Sequence, residues 1–172
     1  MLVTTVEKLG KDFILMRSKL LILLLLVTMG YSSCKKANST TTNSDFFTPV
    51  YVYTNIDISF AQYNALQQMQ GYLYLPGGYR GIIIYHTIDD QFVAFDRACP
   101  VKTDSACAYV SMDSVPIRFR CGTPGTKAWN KCCTSTFDAA YGSPLSGEAK
   151  RGLKQYYTSK QGTVIYISSA PL

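Results

Sequence analysis

Histidine is nearly missing: the 172-residue chain has one, His86. Ser-His-Asp hydrolysis would have to run through that residue, and no serine stands on a nucleophile-elbow pattern, so this class of catalyst finds no support. A lone histidine in the strand-like stretch GIIIYHT is ordinarily a packed or solvated side chain. Tryptophan is also single, Trp129, and charged residues are only 16% of the chain. Carboxylates are sparse, and Asp89-Asp90 reads as a solvated turn rather than an acid–base pair. From residue 34 onward 13 Lys and Arg face 9 Asp and Glu, a net of +4, scattered along the chain. That pattern leaves no footprint for nucleic acid. The Cys-x-x-Cys of thioredoxin-like redox motifs is absent. So is any apolar run of the roughly 20 residues that a bilayer-spanning helix needs.

What the chain does have begins at its N-terminal end. Arg17 and Lys19 precede an apolar core, Leu20 to Tyr31, of about 12 residues, and Tyr-Ser-Ser-Cys follows at 31–34. A short apolar core behind a basic start is an export signal. Small residues directly before a cysteine resemble the lipobox of bacterial lipoproteins. The resemblance implies that Cys34 becomes the first mature residue and carries the lipid. Met16 fits the start of such a signal. Residues 35–45, KKANSTTTNSD, have nothing to bury and read as a tether. We therefore divide the chain into a signal (1–33), a lipid-anchored tether (34–46) and one folded domain (47–172). The implied place is the cell envelope, on the inner or outer membrane and facing the periplasm or the surface.

The domain reads as all-β. YVYTNIDISF alternates, placing Val52, Thr54, Ile56, Ile58 and Phe60 on one side of a half-buried strand. AQYNALQQM fits a short helical turn, with Leu66 and Met69 three apart. GYLYL, GIIIYHT, QFVAF, the 109–112 run, PIRFRC, QYYTS and TVIYIS are further strands. Turn residues separate them, including PGGYRG, Asp89-Asp90 and Lys160-Gln161-Gly162. Short strands with regular punctuation indicate an antiparallel sandwich or barrel.

Chemistry rests on six cysteines: Cys34, Cys99, Cys107, Cys121, Cys132 and Cys133. With Cys34 lipidated, an odd number remain in an oxidising compartment, so at most two bridges form and one thiol is left over. Counting alone does not choose the pairs. Four thiolates from Cys99, Cys107, Cys132 and Cys133 could hold zinc or an all-cysteine iron–sulfur centre, but their spacing departs from that of zinc knuckles. Tyrosine is abundant, and Tyr79, Tyr85, Tyr141, Tyr156 and Tyr157 are candidates for a stacking surface. Alternate tyrosines in a sheet are more often half-buried structure. Trp129 is the best single candidate for an exposed contact.

DRACPVK after QFVAF, and KCCTSTFDAAYGSPLSGEA further on, resemble the two cluster-binding boxes of Rieske domains. Cys99 stands at the first-box cysteine and Val101 at its histidine. In the second box Ser135, Phe137 and Asp138 match, Cys133 stands at the histidine and Asn130 at the cysteine. Downstream, Gly142, Gly147, Ala149, Leu153 and Tyr156 keep the family spacing, with Glu148 where proline is usual. The resemblance implies a Rieske-like antiparallel fold with two apposed loops. A [2Fe–2S] cluster needs two thiolates and two imidazoles, and only Cys99 keeps its residue type. The expectation is therefore a domain without cofactor, its loops crosslinked by disulfides; the alternative is a cluster held by Cys99, Cys107, Cys132 and Cys133. The family's extra loop disulfide implies Cys107–Cys132. The vacated site suggests Cys99–Cys133, with Cys121 left free. Expected function is that of a non-catalytic binding or structural module, presenting the loops 99–107 and 129–141 to a protein partner. A Rieske-type electron carrier and an envelope thiol–disulfide protein are the competing classes.

Overall fold

The structure is a computed structural model and describes residues 50–172. The signal, Cys34, the whole tether and residues 47–49 lie outside the described residues. Twelve strands and one short 3-10 helix make up the fold, and every strand pair is antiparallel. In chain order the strands are β1 (Tyr53–Asp57), β2 (Tyr72–Leu75), β3 (Ile82–His86), β4 (Phe92–Asp96), β5 (Val110–Met112) and β6 (Arg118–Cys121). There follow β7 (Thr123–Pro124), β8 (Trp129–Asn130), β9 (Thr136–Asp138), β10 (Pro144–Ser146), β11 (Gln155–Gln161) and β12 (Val164–Ser168). The 3-10 helix, Ala61–Gln67, follows β1. Among the described residues no helix is long and apolar enough to cross a membrane.

A six-stranded sheet runs β1-β12-β11-β4-β3-β2, a four-stranded sheet β10-β9-β6-β5, and β7 pairs with β8 alone. The larger sheet curls at β11. Its first residues, Gln155 and Tyr156, pair with β4, whereas Tyr157–Gln161 pair with β12. The expected all-β class therefore holds at the level of an open, curled antiparallel sheet with little helix.

The run of apolar residues in β3 has a simple cause. Both faces of this strand are covered, so it lacks the polar half of an alternating pattern. Ile82 and Ile84 face one core, with Ile56, Leu66, Phe92, Ile165 and Ile167. Ile83 and Tyr85 face the other, with Phe95, Phe119 and Phe137, which joins the two sheets. Strand β4 obeys the same period of two: Phe92 and Ala94 go to the first core, Phe95 to the second.

Two expected inward positions point out. Phe60 lies past the end of β1 and is exposed, and Met69 falls beyond the 3-10 helix and is exposed too, while Leu66 is fully buried. A 3-10 turn places residues three apart on one edge only while it lasts, and here it ends at Gln67.

Asp96, at the end of β4, fastens the glycine turn before β3 to the rest of the sheet. Its buried carboxylate accepts from the backbone N–H of Tyr79 (2.6 Å), Arg80 (3.2 Å) and Ala98 (2.8 Å) and from the Tyr156 hydroxyl (2.7 Å). The chain leaving this knot, residues 97–99, carries the first cysteine of the site.

Candidate thiol centre

Three separate segments deliver three sulfurs to one point in the second core. Cys99 follows β4 and is held by its N–H to the Ala108 carbonyl (3.0 Å) and by the neighbouring Ala98–Tyr109 bridge. Cys121 is the last residue of β6, two positions after the buried Phe119, so it points inward by strand alternation. Its N–H donates to the Ser135 carbonyl (3.0 Å), and its own carbonyl accepts from Trp129 Nε1 (2.9 Å). Cys133 precedes β9 in the loop that begins at β8.

The ligand atoms of Cys99, Cys121 and Cys133 all lie within 4.8 Å of one another. The sulfurs of Cys99 and Cys133 are 3.6 Å apart and unbonded. Exposure is 0% for Cys99 and Cys121 and 6% for Cys133, so the group is sealed from bulk water. Its surroundings push the Cys121 and Cys133 thiols up. For Cys121 the hydrogen bond with Cys99 comes first and burial second, opposed by the sulfur and the N–H of Cys133. For Cys133 burial dominates, opposed by the hydroxyl and N–H of Ser135. Raised in this way, the Cys121 and Cys133 thiols are protonated at neutral pH.

Cys107 and Cys132 form a disulfide, with Cα atoms 5.1 Å apart and a sequence separation of 25. It ties the loop after Cys99 to the loop before Cys133. The expected Cys99–Cys133 bridge differs from what the structure holds: those thiols are free, and Cys121, expected to stand alone, is their third member. The alternative ligand set of Cys99, Cys107, Cys132 and Cys133 is likewise corrected, because two of its sulfurs are bonded to each other. Strand alternation in PIRFRC was the signal for Cys121, since it places that cysteine on the face of Phe119.

The other residues of the two boxes surround the centre. Ser135 is fully buried, and its hydroxyl accepts from the Ala149 N–H (2.9 Å). Phe137 is core, and Asp138 caps the following turn by accepting from the N–H of Ala140 and Tyr141. Gly142 (φ +66°) and Gly147 (φ +88°) adopt left-handed backbone, and a Cβ would lie 2.5 Å from the Phe95 ring and from the Ser135 Cα respectively. Val101 packs on the core without a donor atom, and Asn130 is exposed on β8.

A [2Fe–2S] cluster takes four protein ligands around two irons. Three sulfurs this close, with Val101 and Asn130 at the other box positions, do not fit that group. They do fit a single ion. His86 is elsewhere, between the Gln68 carbonyl (3.1 Å) and the Asp90 carboxylate (2.7 Å) and stacked on Phe92. The tyrosines named from sequence make no common surface, because Tyr85 and Tyr156 are buried while Tyr141 and Tyr157 are exposed. Trp129 is half-buried, with the Arg120 guanidinium 5.0 Å from its ring, so it is not an open contact.

Fold and site together define a cysteine-rich antiparallel β domain with one disulfide and a separate buried thiol triad capable of holding a metal ion. No protein-family model matches the chain, and no curated protein matches it.

Proposed function

We propose that the chain is a lipid-anchored protein of the cell envelope whose folded part is a Rieske-like domain with a single-ion thiol centre in place of the iron–sulfur cluster. It is a non-catalytic, cysteine-rich metal module that docks to a protein partner through its loops. The observation that carries this reading is the convergence of Cys99, Cys121 and Cys133 within 4.8 Å. The Rieske likeness is supported by the meeting of Cys99, at the first-box cysteine, with Cys133, at the second-box histidine, and by the steric demand for glycine at 142 and 147. Export and lipidation are supported by the Arg17–Cys34 pattern.

A second reading is favoured by the 3.6 Å between Cys99 and Cys133. In a thiol–disulfide module, exchange with a partner's disulfide would join these sulfurs, with two electrons and two protons passing to the partner pair.

Elemental analysis and thiol titration, before and after denaturation, on protein made with its export signal intact distinguish these readings. A single-ion centre gives about one metal ion per chain, no acid-labile sulfide and about three thiols that react only after unfolding and chelation. About two irons with sulfide would return the domain to the electron carriers. No metal and about one thiol would show Cys99 and Cys133 joined in a second disulfide and would overturn the single-ion reading; reduction of that bridge by a partner's dithiol is what the exchange reading then requires.

A further inference from the structure

The ion that a three-thiol site selects follows from ligand softness, ligand number and access to water. All three donors are sulfur, and the group includes no histidine nitrogen and no carboxylate oxygen. Apolar side chains enclose it: Val110, Phe119, Phe137 and Leu153 share its core, and Val101 packs against it. Calcium, magnesium and manganese prefer oxygen ligands. Zinc with three protein ligands completes its tetrahedron with water and so needs an open, wet position. The three cysteines are exposed by only 0%, 0% and 6%, which leaves such a water no open approach from solvent.

Copper(I) is soft, monovalent and closed-shell, and three sulfurs satisfy it without water. Three metal–sulfur bonds of about 2.3 Å, spread evenly in a plane, separate the sulfurs by roughly 4.0 Å. That spacing lies between the 3.6 Å of Cys99–Cys133 and the 4.8 Å that bounds the group. No sulfur–sulfur distance in the group therefore has to shorten by more than about 1 Å to receive the ion. Cys133, the least buried of the three, marks the edge at which the ion enters. The geometry points to a buried trigonal site in which Cys99, Cys121 and Cys133 bind one soft monovalent cation of the copper(I) class. This inference rests on the proposed single-ion reading and goes on to name its ion. Binding releases thiol protons to solvent and involves no change of oxidation state.

The test uses the full chain, made with its export signal intact and its free thiols reduced without oxygen. It is titrated with copper(I) and with zinc(II), each against a competing chelator. Copper(I) is expected to bind at about one per chain, to displace zinc, and to show about three sulfurs at about 2.3 Å with no lighter ligand in X-ray absorption. Cys121→Ala is expected to weaken copper(I) binding at least about 100-fold while Cys107–Cys132 stays intact. Should that variant fail to fold, the sulfur count in the unaltered protein decides. Zinc(II) held with an oxygen ligand and not displaced by copper(I) would overturn the copper assignment and leave the metal-module reading standing. Retention of neither ion would overturn both.

Discussion

Asp96 carries four hydrogen bonds on two buried oxygens, and their arrangement leaves no room for an amide. One oxygen accepts from the Arg80 and Ala98 N–H groups, the other from the Tyr79 N–H and the Tyr156 hydroxyl. In Asp96→Asn the new NH2 group must face at least one backbone N–H, since only the Tyr156 hydroxyl can turn to accept. Leaving buried donors opposed costs about 1–3 kcal/mol, so the melting temperature should fall by about 5–10 °C. Tyr156→Phe removes one partner and should cost about 1 kcal/mol. Equal melting of Asp96→Asn and the unaltered protein would show that the carboxylate is not the fastening we describe. Neither Asp96 nor Cys121 is conspicuous in sequence. Aspartate after a strand reads as an ordinary turn residue, and a cysteine two positions after Phe119 reads as core. The partners of both arrive from distant segments, which is why resemblance to the two boxes led to Cys99 and Cys133 and passed over Cys121.

At the scale of elements, strand positions were readable because each carries its own period. β1, β2, β3, β5, β6 and β12 fall within the runs expected for them, whereas β4 runs on to Asp96 and β11 takes in Lys160 and Gln161, expected in the turn, so that the last hairpin turns at Gly162 (φ +60°). The end of the 3-10 helix was not readable, since nothing near Gln67 marks it. Hairpin β5–β6 also carries a pH dependence. Burial pushes the Asp113 carboxyl up, but the Ser114 N–H and the Arg118 guanidinium outweigh it and hold the carboxyl below its usual value. Arg118 Nη2 is 2.7 Å from Asp113 Oδ2, and the Asp113 N–H donates to the Arg118 carbonyl (3.0 Å). A depressed folded-state pKa gives stability that is full above the unfolded value of about 3.9 and is lost as pH falls through the lower folded value. Urea midpoints should therefore drop as pH goes from about 5 to about 3. Asp113→Asn should start lower at neutral pH and fall less steeply. Parallel curves for the two proteins would remove this pair from the acid response.

For the whole molecule, we predict that anchoring and folding are separate problems, because among the described residues both cores are built from Val52 and positions beyond it. Electrostatic attachment would be weak. The bases from residue 34 onward are scattered, and Lys35-Lys36 is the one adjacent pair near Cys34. Each base near an anionic surface contributes about 1 kcal/mol and is screened by salt. One acyl chain binds a membrane only marginally, so the anchor proposed at Cys34 would need more than one chain for stable attachment. The protein made with its signal should therefore stay with membranes through a high-salt wash and partition into detergent. Cys34→Ala should lose detergent partitioning after signal removal, or persist as an uncleaved precursor, while its β domain melts at the same temperature. Release of the unaltered protein by salt alone would show that charge, not lipid, holds it. A domain that melts lower in Cys34→Ala would mean that the anchor segment packs on the fold, against the separation of the two problems.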